Sequence, residues 1–95
     1  MTKLKLNDSR ISALGKEYAI NLNDYYIEEE NYMNWDSNDY KNFADKHYDD
    51  FVQVAFYEGL IETSEKKYFK TYIDDIHESI KNVAIEVLKV LIKER

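Results

Sequence analysis

Seven apolar residues, Phe69, Ile73, Ile76, Ile80, Val83, Val87 and Val90, follow one another at intervals of four, three, four, three, four and three. This alternation is the heptad seam of an amphipathic helix, and a strand, whose side chains repeat every two residues, cannot produce it. It predicts a helix over 64–93, capped by Thr63 or Ser64 with Glu65 in its first turn. A helix of that kind from 68 to 93 is roughly 39 Å long and needs partners of comparable length. Proline is absent and glycine occurs twice, at Gly15 and Gly59, so little in the chain interrupts other long helices.

Two further helices follow from the same pattern. Asn7 is a candidate N-cap, with Leu6 and Ile11 placed as a hydrophobic staple, and Ile11, Leu14, Tyr18, Leu22, Tyr25 and Tyr32 form a stripe that predicts a helix over 8–32. An alternative reading exists here. Leu4 and Leu6, and Tyr18, Ile20 and Leu22, also alternate as strands do, and Gly15 could end a short helix, which would give a small α+β fold. Asn34-Trp35-Asp36-Ser37 breaks the pattern next, with Asp36 as N-cap, Asp39 at the third helical position and Trp35 opposite Tyr40 as a staple. The second helix is expected over 37–58, stopped by Gly59. Ninety-five residues make a single domain, 1–95, and short connections favour antiparallel neighbours. The expected fold is all-α, an up-down-up bundle of three long helices.

Charge is unevenly distributed along this framework. Residues 24–62 carry eleven carboxylates and only Lys41 and Lys46 as bases, whereas the segments on either side are weakly positive. A block of this kind argues against gripping DNA or an anionic membrane, because phosphate contacts need Lys and Arg. No cysteine is present, which excludes disulfides and thiolate metal sites. The first residues lack the apolar run of a signal peptide, and no stretch is apolar enough to span a bilayer, so a soluble, cytoplasmic protein is expected.

Catalytic signatures are missing. The serines Ser9, Ser12, Ser37, Ser64 and Ser79 fall at caps or exposed helix positions, and none lies in a Gly-x-Ser-x-Gly turn. No phosphate-cradling glycine loop occurs. Asp74 with His77, and His47 with Asp50, have helical i, i+3 spacing, but a carboxylate-bridged metal bundle needs several Glu and paired Glu-x-x-His elements in its core. His77 is expected to be solvated beside Asp74 and Lys81, and His47 to lie at the boundary of the core. No enzyme activity, cofactor or metal is expected.

The acidic block also holds aromatic residues, and the two together define a candidate partner-binding surface: Asp24, Tyr25, Glu28, Glu29, Glu30, Tyr32, Trp35, Asp36, Asp39, Asp45, Asp49 and Asp50. Charges this dense repel one another, and Glu28 to Glu30 have no basic residue one turn away. Spaced carboxylates with aromatic anchors suit a protein that normally grips a nucleic-acid backbone. A short, proline-free, cysteine-free chain rich in Tyr, Asp and Glu resembles the small acidic anti-CRISPR and antirestriction proteins of phages and plasmids. Trp35-Asp36-Ser37 through Phe43-Ala44, with Tyr72-Ile73-Asp74-Asp75-Ile76, is similar to antirestriction proteins of the ArdA type. The resemblance implies a non-enzymatic DNA mimic that acts in the host cytoplasm and blocks the nucleic-acid channel of a defence nuclease. The reading from another class is a small helical interaction or regulatory module, such as an assembly subunit or an antitoxin.

The last helix carries one more expectation. From Val83 to Ile92 only Glu86 and Lys89 are charged, so the apolar arc widens from roughly 100° to roughly 220°. A second copy of the chain would cover it, with Ile85, Leu88, Leu91 and Ile92 at a homodimer interface.

Overall fold

The computed structural model describes residues 6–70 and 74–94. Its described residues are almost all helical, with four α-helices and three single 3-10 turns and no strand among them. Helix α1 spans Asp8–Tyr25, α2 spans Ser37–Tyr57, α3 spans Lys66–Lys70 and α4 spans Asp74–Lys93. The all-α expectation holds. Tyr18, Ile20 and Leu22, which also alternate as a strand would, lie inside α1.

The start of α1 is set locally. Asn7 Oδ1 accepts from the Ser9 N–H at 2.7 Å, and Leu6, just before the cap, is buried. Leu14, Gly15, Tyr18, Ala19 and Leu22 then form one buried stripe. The helix ends seven residues earlier than the expected Tyr32, with the Tyr26 N–H returning to the Leu22 carbonyl, and the chain continues in 3-10 turns at Ile27–Glu29 and Tyr32–Asn34. Ile27 explains the early stop. Continued as a helix, the chain would point it about 150° away from the centre of the buried stripe, whereas the turn brings it fully into the core. Stopping there also keeps Glu28, Glu29 and Glu30 out of the last helical turn, where the helix dipole disfavours negative charge.

Helix α2 begins and ends as its residues dictate. Asp36 Oδ1 accepts from the Asp39 N–H at 2.9 Å and Asp39 Oδ2 accepts from the Asp36 N–H at 3.0 Å, a complete capping box. At the other end Gly59 has φ +77°, and the Leu60 and Gly59 N–H groups return to the Ala55 and Phe56 carbonyls, the Schellman arrangement that a left-handed glycine permits.

The long helix expected over 64–93 is described as the turn Thr63–Glu65, then α3, then α4; Thr71, Tyr72 and Ile73, which it would cross, lie outside the described residues. Within α4 the buried apolar row is Ile76, Ile80, Ala84 and Leu88, a spacing of four. Val83 and Val87 sit at its edge and Val90 is 56% exposed, so the observed row leaves the expected heptad seam after Ile80. The reason is α1. Gly15 lies so close to α4 that a Cβ there would be 2.6 Å from Val83 Cβ, and Ala84 supplies a further small residue on the buried row.

Cross-chain pairings fix the topology. Lys89 lies over the Tyr40 ring, Lys81 pairs with Asp45 and His77 meets Tyr48, so α4 descends as α2 rises. Arg10 bonds to the Leu60 carbonyl, Tyr18 packs on Phe51 and Tyr26 stacks on His47, so α1 and α2 are also antiparallel. Helices α1 and α4 therefore run parallel, and they form the most extensive helix pair. At the centre is Tyr18, fully buried, which is stacked on Phe51 at 4.7 Å and edge-on to Tyr48 at 5.6 Å, and whose hydroxyl donates to the Ala44 carbonyl. Burial raises its phenol far above the ordinary tyrosine range, so it remains a donor.

Two sequence expectations, for His77 and Leu88, are corrected by this core. His77 is 3% exposed, with Nδ1 2.6 Å from the Tyr48 hydroxyl, because its face of α4 turns toward α2 instead of solvent. Lys81, on the same face, is buried with its ammonium 3.0 Å from Asp45 and over the Tyr48 ring. Leu88 is 1% exposed and belongs to the core of the single chain, so it is not free to meet a second copy. Ile85, Leu91 and Ile92 are half-buried against the same core.

Candidate partner-binding surface

The connection between α1 and α2 carries much of the acidic block, and an aromatic ladder fastens it down. Trp35 meets Tyr40 edge-on at 5.2 Å and Phe43 at 4.9 Å; Phe43 meets His47 at 5.0 Å; His47 stacks on Tyr26 at 3.9 Å. Trp35 and Tyr32 are half-buried against the core. Their large rings serve packing first, and of the three aromatics in the candidate set Tyr25 alone is exposed, at 73%. Burial holds the His47 imidazole below its ordinary value, with Lys46 adding to the effect, while Asp50 and Glu30 pull the other way.

The carboxylates divide into groups. Asp36 and Asp39 are engaged in the capping box, where the α2 dipole favours them. Asp45 is tied to Lys81, and Asp49, one turn further along, is exposed on the same flank of α2. Asp50 lies about 100° around the helix from Asp49 and acts on His47 together with Glu30. Glu28 and Glu29 are exposed on the 3-10 turn, and Asp24 is exposed at the end of α1. The twelve residues thus form a belt around one end of the α1–α2 pair instead of one flat face. Asp24, Glu29, Asp49 and Asp50 make no salt bridge among the described residues.

Beside this belt, α1 and α2 leave a groove of about 480 Å³. Its walls are Ile20, Tyr25, Tyr26, Phe51, Val54 and Leu60, and its charged residues are Glu17, Asp24 and Glu58, with no basic side chain in the lining. Asn21 lines it too, and its side-chain oxygen is buried without a hydrogen-bond partner. Only Asp24 and Tyr25 were legible as candidate site residues. The helical spacing of Glu17, Ile20, Asn21 and Asp24 was the available signal, but half the groove belongs to α2, and that pairing is tertiary.

Among the described residues no three His, Asp or Glu side chains gather as a metal site, and no helix is long and apolar enough to cross a membrane. Comparison with known proteins finds no matching family model, no similar curated protein and no similar solved structure.

Proposed function

We propose that the protein is a non-enzymatic inhibitor whose acidic belt occupies the basic nucleic-acid channel of a host defence nuclease, with carboxylates standing where phosphates would bind. The observation that supports this reading is the exposure of Asp24, Glu28, Glu29, Asp49 and Asp50 around a packed aromatic ladder. A belt of like charges held in place by packed rings is pre-organised, so ordering it on binding costs little, and its repulsion is relieved when Lys and Arg arrive. Asp36, Asp39 and Asp45, bound in the capping box and to Lys81, hold the scaffold, and Asp24, Glu29, Asp49 and Asp50 carry the contact.

Competition measures this directly. Labelled duplex is loaded on a CRISPR effector nuclease or a restriction enzyme while the protein is titrated in. Displacement is expected, weakening steeply as salt rises. Reversing Glu28, Glu29, Glu30, Asp49 and Asp50 to Lys should abolish it, because none of these side chains is part of the buried core. Displacement that ignores salt, or that survives the reversal, would instead place the activity on an apolar surface, as in a helical interaction module.

A further inference from the structure

We propose that the α1–α2 groove is an anchoring pocket for an arginine side chain presented by a basic partner protein. The inference rests on the reading above for the existence of such a partner, and on the groove itself for the residue that enters it.

Charge complementarity comes first. Glu17, Asp24 and Glu58 line the groove and no Lys or Arg does, so its field favours a cation. Its walls exclude a plain hydrated ion. Ile20, Phe51, Val54 and Leu60 are apolar, and Tyr25 and Tyr26 add aromatic rings to the lining, which calls for an organic cation with an apolar stem. Arginine fits better than lysine. Its planar guanidinium is weakly hydrated, stacks on aromatic rings and distributes five donors, whereas an ammonium is a compact, strongly hydrated charge. Asn21 at the same place has a buried, unpartnered side-chain oxygen, which a turn of its side chain would present to one of those donors.

Size and position agree with this occupant. A volume of about 480 Å³ exceeds what one arginine side chain fills, leaving room for the backbone that presents it and for bridging water. The groove is also continuous with the acidic belt, since Asp24 and Tyr25 belong to both. A basic partner drawn in by the belt would find the pocket at its edge.

The test uses three capped tripeptides, glycine-arginine-glycine, glycine-lysine-glycine and glycine-citrulline-glycine, titrated into the isotopically labelled full chain and followed by NMR. Saturable shifts are expected at residues 17–26 and 51–60, including the Asn21 side-chain amide. Arginine should bind more tightly than lysine, and citrulline, its uncharged analogue, should not bind. The double substitution Glu17→Gln with Glu58→Gln should weaken the arginine peptide by about five- to tenfold while circular dichroism shows unchanged helix. Lack of saturation, equal binding of citrulline, or shifts spread evenly over 28–50 would overturn the pocket.

The two proposals separate cleanly. If the protein displaces duplex from a nuclease but Glu17→Gln with Glu58→Gln displaces it equally well, the pocket is wrong and the inhibitor reading stands. If the peptide binds in the groove and no nuclease is inhibited, the inhibitor reading fails and the pocket remains.

Discussion

A Cβ at Gly15 would lie 2.6 Å from both Cβ and Cγ1 of Val83 and 3.0 Å from the Ile80 carbonyl oxygen, so the glycine is set by its neighbour and not by its own backbone. In an exposed helix Gly→Ala gains about 1 kcal/mol. Here the sign should reverse. Gly15→Ala is expected to cost about 1–3 kcal/mol, because Val83 meets it through atoms next to the backbone that cannot swing away, and a thermal or urea melt measures it. Substitution at Gly59 would act differently, through φ +77°, with nothing within 4 Å to clash. His47 supplies a test of the ladder. Its folded value is held below the ordinary 6.5 by burial, so the neutral ring stabilises the fold and that contribution is lost as pH falls from about 6.5 through the folded value. NMR titration of the ring should show the depressed value, lowered further by Asp50→Asn and raised by Lys46→Gln. A value above 6.5 would mean that the stack on Tyr26 does not desolvate the ring.

Among the elements, the connection from α2 to α3 is held by one ion pair. Arg10 Nε and an Nη donate at 2.8 Å to the two oxygens of Glu65, and the same Nη donates to the Leu60 carbonyl at 2.7 Å. The Glu62 N–H adds a third donor to the carboxylate. The Arg10 hydrogen bonds hold Glu65 below the usual carboxylate range and the pairing raises Arg10, so both partners report the same stabilised charged state. The depressed Glu65 contributes stability above about pH 4.5 and loses it as pH falls through its folded value. Because Arg10 is partly exposed, Glu65→Gln should cost only about 1–2 kcal/mol at neutral pH. The difference from the unaltered chain should vanish in acid. Following the difference matters, since protonating the acidic belt relieves repulsion in both proteins.

Element boundaries show what could be read from sequence. The capping box at Asp36 and Asp39 and the stop at Gly59 were legible because each is complete within a few residues. The end of α1 was not, because the burial of Ile27 depends on helices elsewhere in the chain. His77 looked solvated for the same reason: its partner, Tyr48, lies 29 residues away on another helix. Apolar periodicity located α4 but placed its buried row too far toward Val83 and Val90, because the flank of α4 that is covered is decided by the helices packed against it. In the candidate site the carboxylates could be named, but which of them are used up in caps and ion pairs could not.

At the scale of the whole molecule, antiparallel α1–α2 and α2–α4 pairs leave α1 and α4 side by side and parallel, and this pair of first and last helices is the most extensive in the fold. Its contact at residues 15 and 83 spans most of the chain. Helical proteins usually fold within milliseconds because their contacts are local, but here the most extensive interface is available only after a loop of most of the chain has closed. Stopped-flow refolding should therefore run slower than for a bundle whose closest pairs are neighbours in sequence. Pairing with α2 covers Tyr18, but until α4 docks the flank of α1 around Gly15 stays open to solvent, so the first helix of this chain, ordered by its own cap, is fully sheltered only when the last one arrives.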